Sequence, residues 1–177
     1  MGCAVTLSNI LLGCLESMGG IKEIYLASYS DVKATASQGV IDEAGLVLTT
    51  GKKFYVVEIQ KQTGSMTSTR TIDATAGVNY VTTDLALQIK KMSKENRIPV
   101  EEICRGDMVA VVLDSNNQAW YLGYDNPVTA SANTGETGTN YGDSNQYTIT
   151  LQDMSKSLPY PLTDEAFEKV KDSVERQ

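Results

Sequence analysis

Paired carboxylates stand at Glu101-Glu102 and Asp164-Glu165, and paired acids are common equipment for general acid–base catalysis. Adjacent side chains on a helix point apart, however, so both pairs read as exposed acids near helix starts, where the helix dipole favours them. The chain has no histidine, which removes Ser-His-Asp and Cys-His nucleophilic catalysis. Three cysteines, Cys3, Cys14 and Cys104, are an odd number without CxxC spacing. They argue against a zinc site and a disulfide framework, and for a reducing compartment during synthesis. Gly135-Glu136-Thr137-Gly138 imitates a phosphate-cradling loop, but no Lys follows it and strand residues come next. Asp114-Ser115-Asn116-Asn117-Gln118 imitates the start of a calcium loop, with Asp125 at the twelfth position. Ala119 stands where the sharp turn needs glycine, so the segment reads as a hairpin turn. The expectation is no catalytic residue, no metal and no cofactor.

Trp120, Tyr121, Tyr124 and Tyr147 raise a stacking platform for bases or sugars, against the plainer reading of strand residues packed into a core. Charge weighs against the nucleic-acid version. The 177 residues carry 15 basic and 22 acidic side chains, a net charge of −7. From Gly106 to Ser155 there are six acids and no Lys or Arg. Such a stretch either serves solubility or makes a surface that does not hold a polyanion. With 41% hydrophobic residues the composition is that of one globular domain. No apolar run approaches the ~18–20 residues that span a bilayer, and residues 1–5 lack the basic stretch that opens a secretory signal.

These residues need elements to hold them, and the pattern is mostly β. Residues 1–20 mix leucines with Gly13, Gly19 and Gly20 and read as an N-terminal arm or short helix. Residues 21–27 read as a strand, 31–38 as a turn or loop, 39–43 and 46–49 as short strands, and 54–60 as a further strand. Residues 80–91 alternate cleanly, with Val81, Thr83, Leu85, Leu87 and Ile89 on one face. A short helix starts at Ser93 or at Pro99 and stops at Gly106. Residues 107–113 are apolar on both faces and read as a central buried strand, joined by a hairpin to residues 118–123. Residues 147–151 alternate as a half-buried strand. Thr163 is a natural N-cap for a C-terminal helix, with a Leu162–Phe167 staple and an apolar stripe of Phe167, Val170 and Val174. Pro159 and Pro161 make a stiff connector, which makes residues 159–177 a Pro-hinged unit able to leave the domain. The fold expected is a β-sandwich or barrel of antiparallel strands over 21–158, with one short flanking helix and a C-terminal helix.

Two polar tracts stand out. Residues 62–79 are rich in threonine yet polar on both faces, which gives a strand weak register and little core. The tract is either a surface loop or an arm that orders by adding to another subunit's sheet, with Ser65, Met66, Thr67, Thr69, Arg70 and Ile72 as its contact residues. Residues 133–146, rich in Gly, Thr and Asn, read as a long connection.

The runs "GKKFYVVEIQKQTGSMTSTRTID", "NYVTTDLALQIKKMSKENR", "MVAVVLDSNNQAWYLGYDNPV" and "TGETGTNYGDSNQYTITLQDMS" resemble virion structural proteins of tailed phages, particularly tail tube proteins of gut Bacteroides phages. The resemblance implies a non-enzymatic β-sandwich or barrel that assembles with itself into stacked, usually hexameric rings. DNA would pass through their channel without specific binding, and other tail or neck proteins would be partners within the virion. On that reading 133–146 is ordered mainly by neighbouring subunits, and Asp114, Asp125, Glu136 and Asp143 are candidate acids of the channel lining. Residues 1–20 and the C-terminal helix match no general tube pattern, which leaves a neck or tail-completion protein open. A carbohydrate-binding or adhesin-like β-module and a small enzyme are the rival classes.

Overall fold

The computed structural model describes residues 9–10 and 16–174; Cys3, Cys14 and most of the expected N-terminal arm lie outside them. The elements run in chain order as β1 (Ile21–Ser28), a 3-10 turn (Tyr29–Asp31), β2 (Val32–Ala34), β3 (Leu46–Leu48), β4 (Tyr55–Val57), β5 (Gly64–Asp73) and β6 (Val78–Lys90). Then come α1 (Lys94–Arg105), β7 (Met108–Asp114), β8 (Ala119–Leu122), β9 (Thr129–Glu136), β10 (Gln146–Ser155), β11 (Tyr160–Pro161) and α2 (Asp164–Asp172). They build an antiparallel β-sandwich. One sheet has the order β11-β8-β7-β1-β4, the other β5-β6-β10-β9, and β2-β3 form a small ribbon.

β7 is the shared wall. Val109, Val111 and Leu113 point into a core closed by Tyr25, Phe54, Phe167 and Val170, while Ala110 and Val112 point into a second core with Ile24, Leu85, Ile149 and Leu151. Alternation across a strand carries successive side chains to opposite faces, so a strand covered on both faces must be apolar throughout. The expectation of a central buried strand at 107–113 holds for that reason.

α1 starts at Ser93, whose side chain accepts from the Asn96 N–H at 3.2 Å, and Pro99 lies inside it. A proline there has no N–H to give, so the helix forgoes one internal bond. Its register suits the packing: Val100 is buried in the second core.

The C-terminal unit departs from expectation. Thr163 does cap α2, accepting from Ala166 N–H at 3.3 Å, but the prolines do not carry the helix away. Tyr160–Pro161 pair with Tyr121 and Trp120 as the outermost strand of the five-stranded sheet. Ala166, Phe167 and Val170 are buried in the first core, and Lys169 Nζ donates to the carbonyls of Glu43 and Leu46. The free apolar stripe finds its seat on the domain's own sheet.

The shorter segments were also reassigned by tertiary packing. Val32–Ala34 is a strand rather than a loop, paired with Leu46–Leu48. Residues 39–43 form only isolated bridges, because Gln38 and Gly39 take positive φ in a tight turn. The strand expected at 54–60 shrinks to Tyr55–Val57: Phe54 sinks into the first core, and after Ile59 the chain turns toward the other sheet through Gln62 at φ 64°.

Two substitutions test this arrangement by chemical or thermal unfolding. Val111→Asp should abolish folding, since an unpaired charge in a fully buried strand costs several kcal/mol of a typical ~5–15 kcal/mol stability. Phe167→Ala should cost about 3 kcal/mol or more, a loss that a detached helix would not show.

Candidate functional site: the edges and overhang of the four-stranded sheet

The Thr-rich tract at 62–79 is neither a loose loop nor an unpaired arm. It is the first strand of a long hairpin: β5 pairs with β6 in unbroken register from Gly64↔Leu87 to Asp73↔Val78. The register is set at its base, where Met66 packs on the second core and the Ser68 and Thr83 hydroxyls meet at 2.9 Å. One inward-facing pair further on, Val81 is still buried, and there the core ends. Thr69 through Tyr80 are exposed, including Ile72, Val78 and Tyr80, so the hairpin overhangs the domain. Its tip is tied locally: Asp73 Oδ1 accepts from the N–H groups of Thr75 and Ala76, and Arg70 donates to Asn79 Oδ1 at 2.8 Å. Of the arm residues proposed from sequence, Ser65, Thr67, Thr69, Arg70 and Ile72 are exposed and Met66 is half-buried.

Residues 133–146 are likewise not a connection alone. Residues 133–136 belong to β9, paired with β10 from Gln146↔Glu136 to Gln152↔Thr129 with a bulge that leaves Ser131 unpaired. Residues 137–145 form the turn between the two strands, closed by Asp143, whose Oδ2 accepts from Thr139 and Asn140 N–H at 2.8 and 2.6 Å. Those backbone donors hold the Asp143 carboxyl below its usual range. Polar composition hid the strand because β9 is almost wholly exposed and needs only its backbone bonds to β10.

Among the described residues the four-stranded sheet therefore ends on both sides in a strand with no further strand paired to it, β5 with ten residues and β9 with eight. Exposed edges usually carry Lys or Pro against further pairing. Neither β5 nor β9 has one; β5 carries the charges Arg70 and Asp73, and β9 carries Glu136 and its bulge.

The four acids singled out from sequence do not converge. Asp114 and Asp125 lie on either side of β8, Glu136 ends β9, and Asp143 lies within the β9–β10 turn. Each has a local partner. Asp114 accepts from Asn116 and Gln118 N–H and from Trp120 Nε1, Asp125 from Lys156 N–H, and Glu136 from Gln146 Nε2. The four aromatics divide as core residues: Tyr121 and Tyr124 pack in the first core, Trp120 and Tyr147 in the second. Glu101 pairs with Arg105 at 2.5 Å across one helical turn. No group of three or more His, Cys, Asp or Glu is placed to hold a metal among the described residues.

One acid escaped the sequence reading. Asp153 lies on the inward face of β10, opposite Thr83 at the base of the overhang, and is buried. Desolvation raises its carboxyl pKa, opposed by the Ser155 hydroxyl donating at 2.8 Å and by the Gly123 N–H. Its place in the strict alternation Ile149, Leu151, Asp153 was the available signal. Comparison with family models, curated proteins and solved structures returned no match.

A raised native pKa means that the folded chain binds this proton more tightly than the unfolded chain, so its contribution to stability declines as pH rises through that pKa. Asp153→Asn keeps an acceptor for Ser155 and carries no charge. It should equal or exceed the parent in stability at pH 7, with the difference shrinking as pH falls toward 4, read by urea unfolding at each pH.

Proposed function

We propose that the protein is a non-enzymatic virion structural protein of a tailed bacteriophage, a tail tube subunit that assembles with itself into stacked rings around a channel for DNA. The observation that carries this reading is the four-stranded sheet with a free strand at each side and a hairpin overhanging its end. An edge of β5 on one copy and of β9 on the next make two different surfaces that meet head to tail. Repeated contacts of that kind close into a ring when the rotation between copies allows. The overhanging hairpin, apolar at Ile72, Val78 and Tyr80 but without core beneath it, suits contact with a neighbouring ring. The resemblance in wording over residues 51–155 points the same way, and the stretch from 106 to 155 offers DNA phosphates no cation.

Packing of Trp120, Tyr121, Tyr124 and Tyr147 against two separate cores favours this over the carbohydrate-binding alternative, which needs those four gathered on one exposed groove. A neck or tail-completion role would use the same edges with different partners.

Electron microscopy of the purified chain should show rings or tubes, and light scattering should show assemblies that grow with concentration. Thr67→Lys in β5 and Ala132→Lys in β9, both at exposed positions, should leave the domain folded and stop assembly. Pairing Thr67→Glu with Ala132→Lys should restore it in part. A strict monomer at every concentration and salt would overturn the reading. The assembled protein should also show no measurable affinity for duplex DNA at moderate salt.

A further inference from the structure

Asp153 stands at a junction of three parts of the chain. It faces Thr83 across the β6–β10 pair, and the Thr83 hydroxyl meets that of Ser68 on β5 at the base of the overhang. Its carboxylate accepts from the Ser155 hydroxyl at 2.8 Å and from the Gly123 N–H just after β8. The turn after β8 is fastened to the end of β10 at two further points. Lys156 N–H donates to Asp125 Oδ2 at 2.8 Å, and Asn126 Nδ2 donates to the Met154 carbonyl at 2.7 Å. A few polar contacts thus join the root of the hairpin, the end of β10 and residues 123–126.

The carboxylate at their centre is poorly placed to carry a charge. Asp153 is 3% exposed, and among the described residues no Lys or Arg pairs with it. The charged groups on the elements around it do not compensate. Asp125 lies near enough to repel it. Arg70 on β5 gives its guanidinium to Asn79 Oδ1 and the Lys156 carbonyl, and Lys156 is itself exposed. Asp84 of β6 lies on the opposite face, held by Gln152 Nε2 at 2.8 Å. Tyr121 brings a phenol within electrostatic reach, with Tyr29 and Tyr124 beside it. A buried carboxyl in such company favours its protonated form, in agreement with its raised pKa.

We propose that Asp153 is a proton-operated latch between the root of the β5–β6 overhang and the turn that follows β8. Protonated, the carboxyl rests uncharged in its buried seat and the junction stays closed. Ionised, it is repelled by Asp125 and drawn toward water, which it reaches with least disturbance when the end of β10 parts from residues 123–126. The core formed by Leu85, Ile149 and Leu151 behind it stays in place. The closed junction holds the proton more tightly than the open one, so opening increases with pH. The increase begins in the ordinary carboxylate range and levels off above the raised value, at most about tenfold per pH unit between them. The latch belongs to the single chain and is independent of the assembly reading.

Hydrogen exchange of the full chain, read by mass spectrometry from about pH 4 to about pH 8 and corrected for intrinsic exchange, tests it. Peptides covering residues 66–83, 121–128 and 153–158 should lose protection by roughly threefold or more as pH rises, while β7 keeps its own. Asp153→Asn retains an acceptor for Ser155 and takes no charge. It should hold the acid-side protection at every pH. Asp125→Asn retains an acceptor for Lys156 N–H and should shrink the change without removing it. Protection in the parent that ignores pH overturns the latch, as does an equal change in Asp153→Asn. A loss spread evenly over β7 and the three peptides also overturns it, because the proton would then act on the whole domain.

Discussion

Burial of β7 on both faces is the constraint on which the rest of the molecule depends. Its side chains divide alternately between two cores, so every other layer is arranged to keep water from one face or the other of this strand. The four-stranded sheet covers the Ala110 and Val112 side; α2, Phe54 and the β2–β3 ribbon cover the Val109 and Val111 side. A two-layer sandwich would leave the second set in water, at a cost of about 1.5–3 kcal/mol for each large apolar side chain. The C-terminal helix is therefore the third layer of the domain and not an appendage.

The covering is uneven, and the uneven parts are where function is to be sought. Along the inward faces of β6 and β10 the residues change from Leu87, Leu85, Ile149 and Leu151 to Thr83, Asp153 and Ser155, with Val81 as the last buried apolar side chain. The hairpin of β5 and β6 then continues past them with residues 69–80 exposed. Polar residues at that boundary satisfy one another, Ser68 with Thr83 and Ser155 with Asp153, so the core is closed where the overhang begins. A hairpin that projects from a closed core can change partners without disturbing the fold behind it.

Open edges complete the picture. Among the described residues β5, β9 and β4 each have one side with no strand paired to it, and backbone groups removed from water need partners. In a monomer they are met by water, and in an assembly by neighbouring strands. The absence of Lys and Pro from β5 and β9 leaves the second course open, and it is the one that the proposed assembly would use.

What the sequence determined by itself were the features whose physics is local. The two-sided apolar run of β7, the alternation of β6 and β10, the Ser93 and Thr163 caps and the Asp114 turn are each legible in a few neighbouring residues, because periodicity and capping act over one or two turns of chain. Tertiary structure alone decided the polar strands and the docking. β9 and the outer half of β5 bury almost nothing, so composition could not mark them, and only pairing with β10 and β6 made them strands. Asp153 looked like one more surface acid until the sheet turned it inward. Whether Pro159 and Pro161 release or fasten the last helix depended on an apolar seat formed by residues more than a hundred positions earlier, Tyr25 and Phe54 among them. Contacts of that range leave no mark on the segment that makes them.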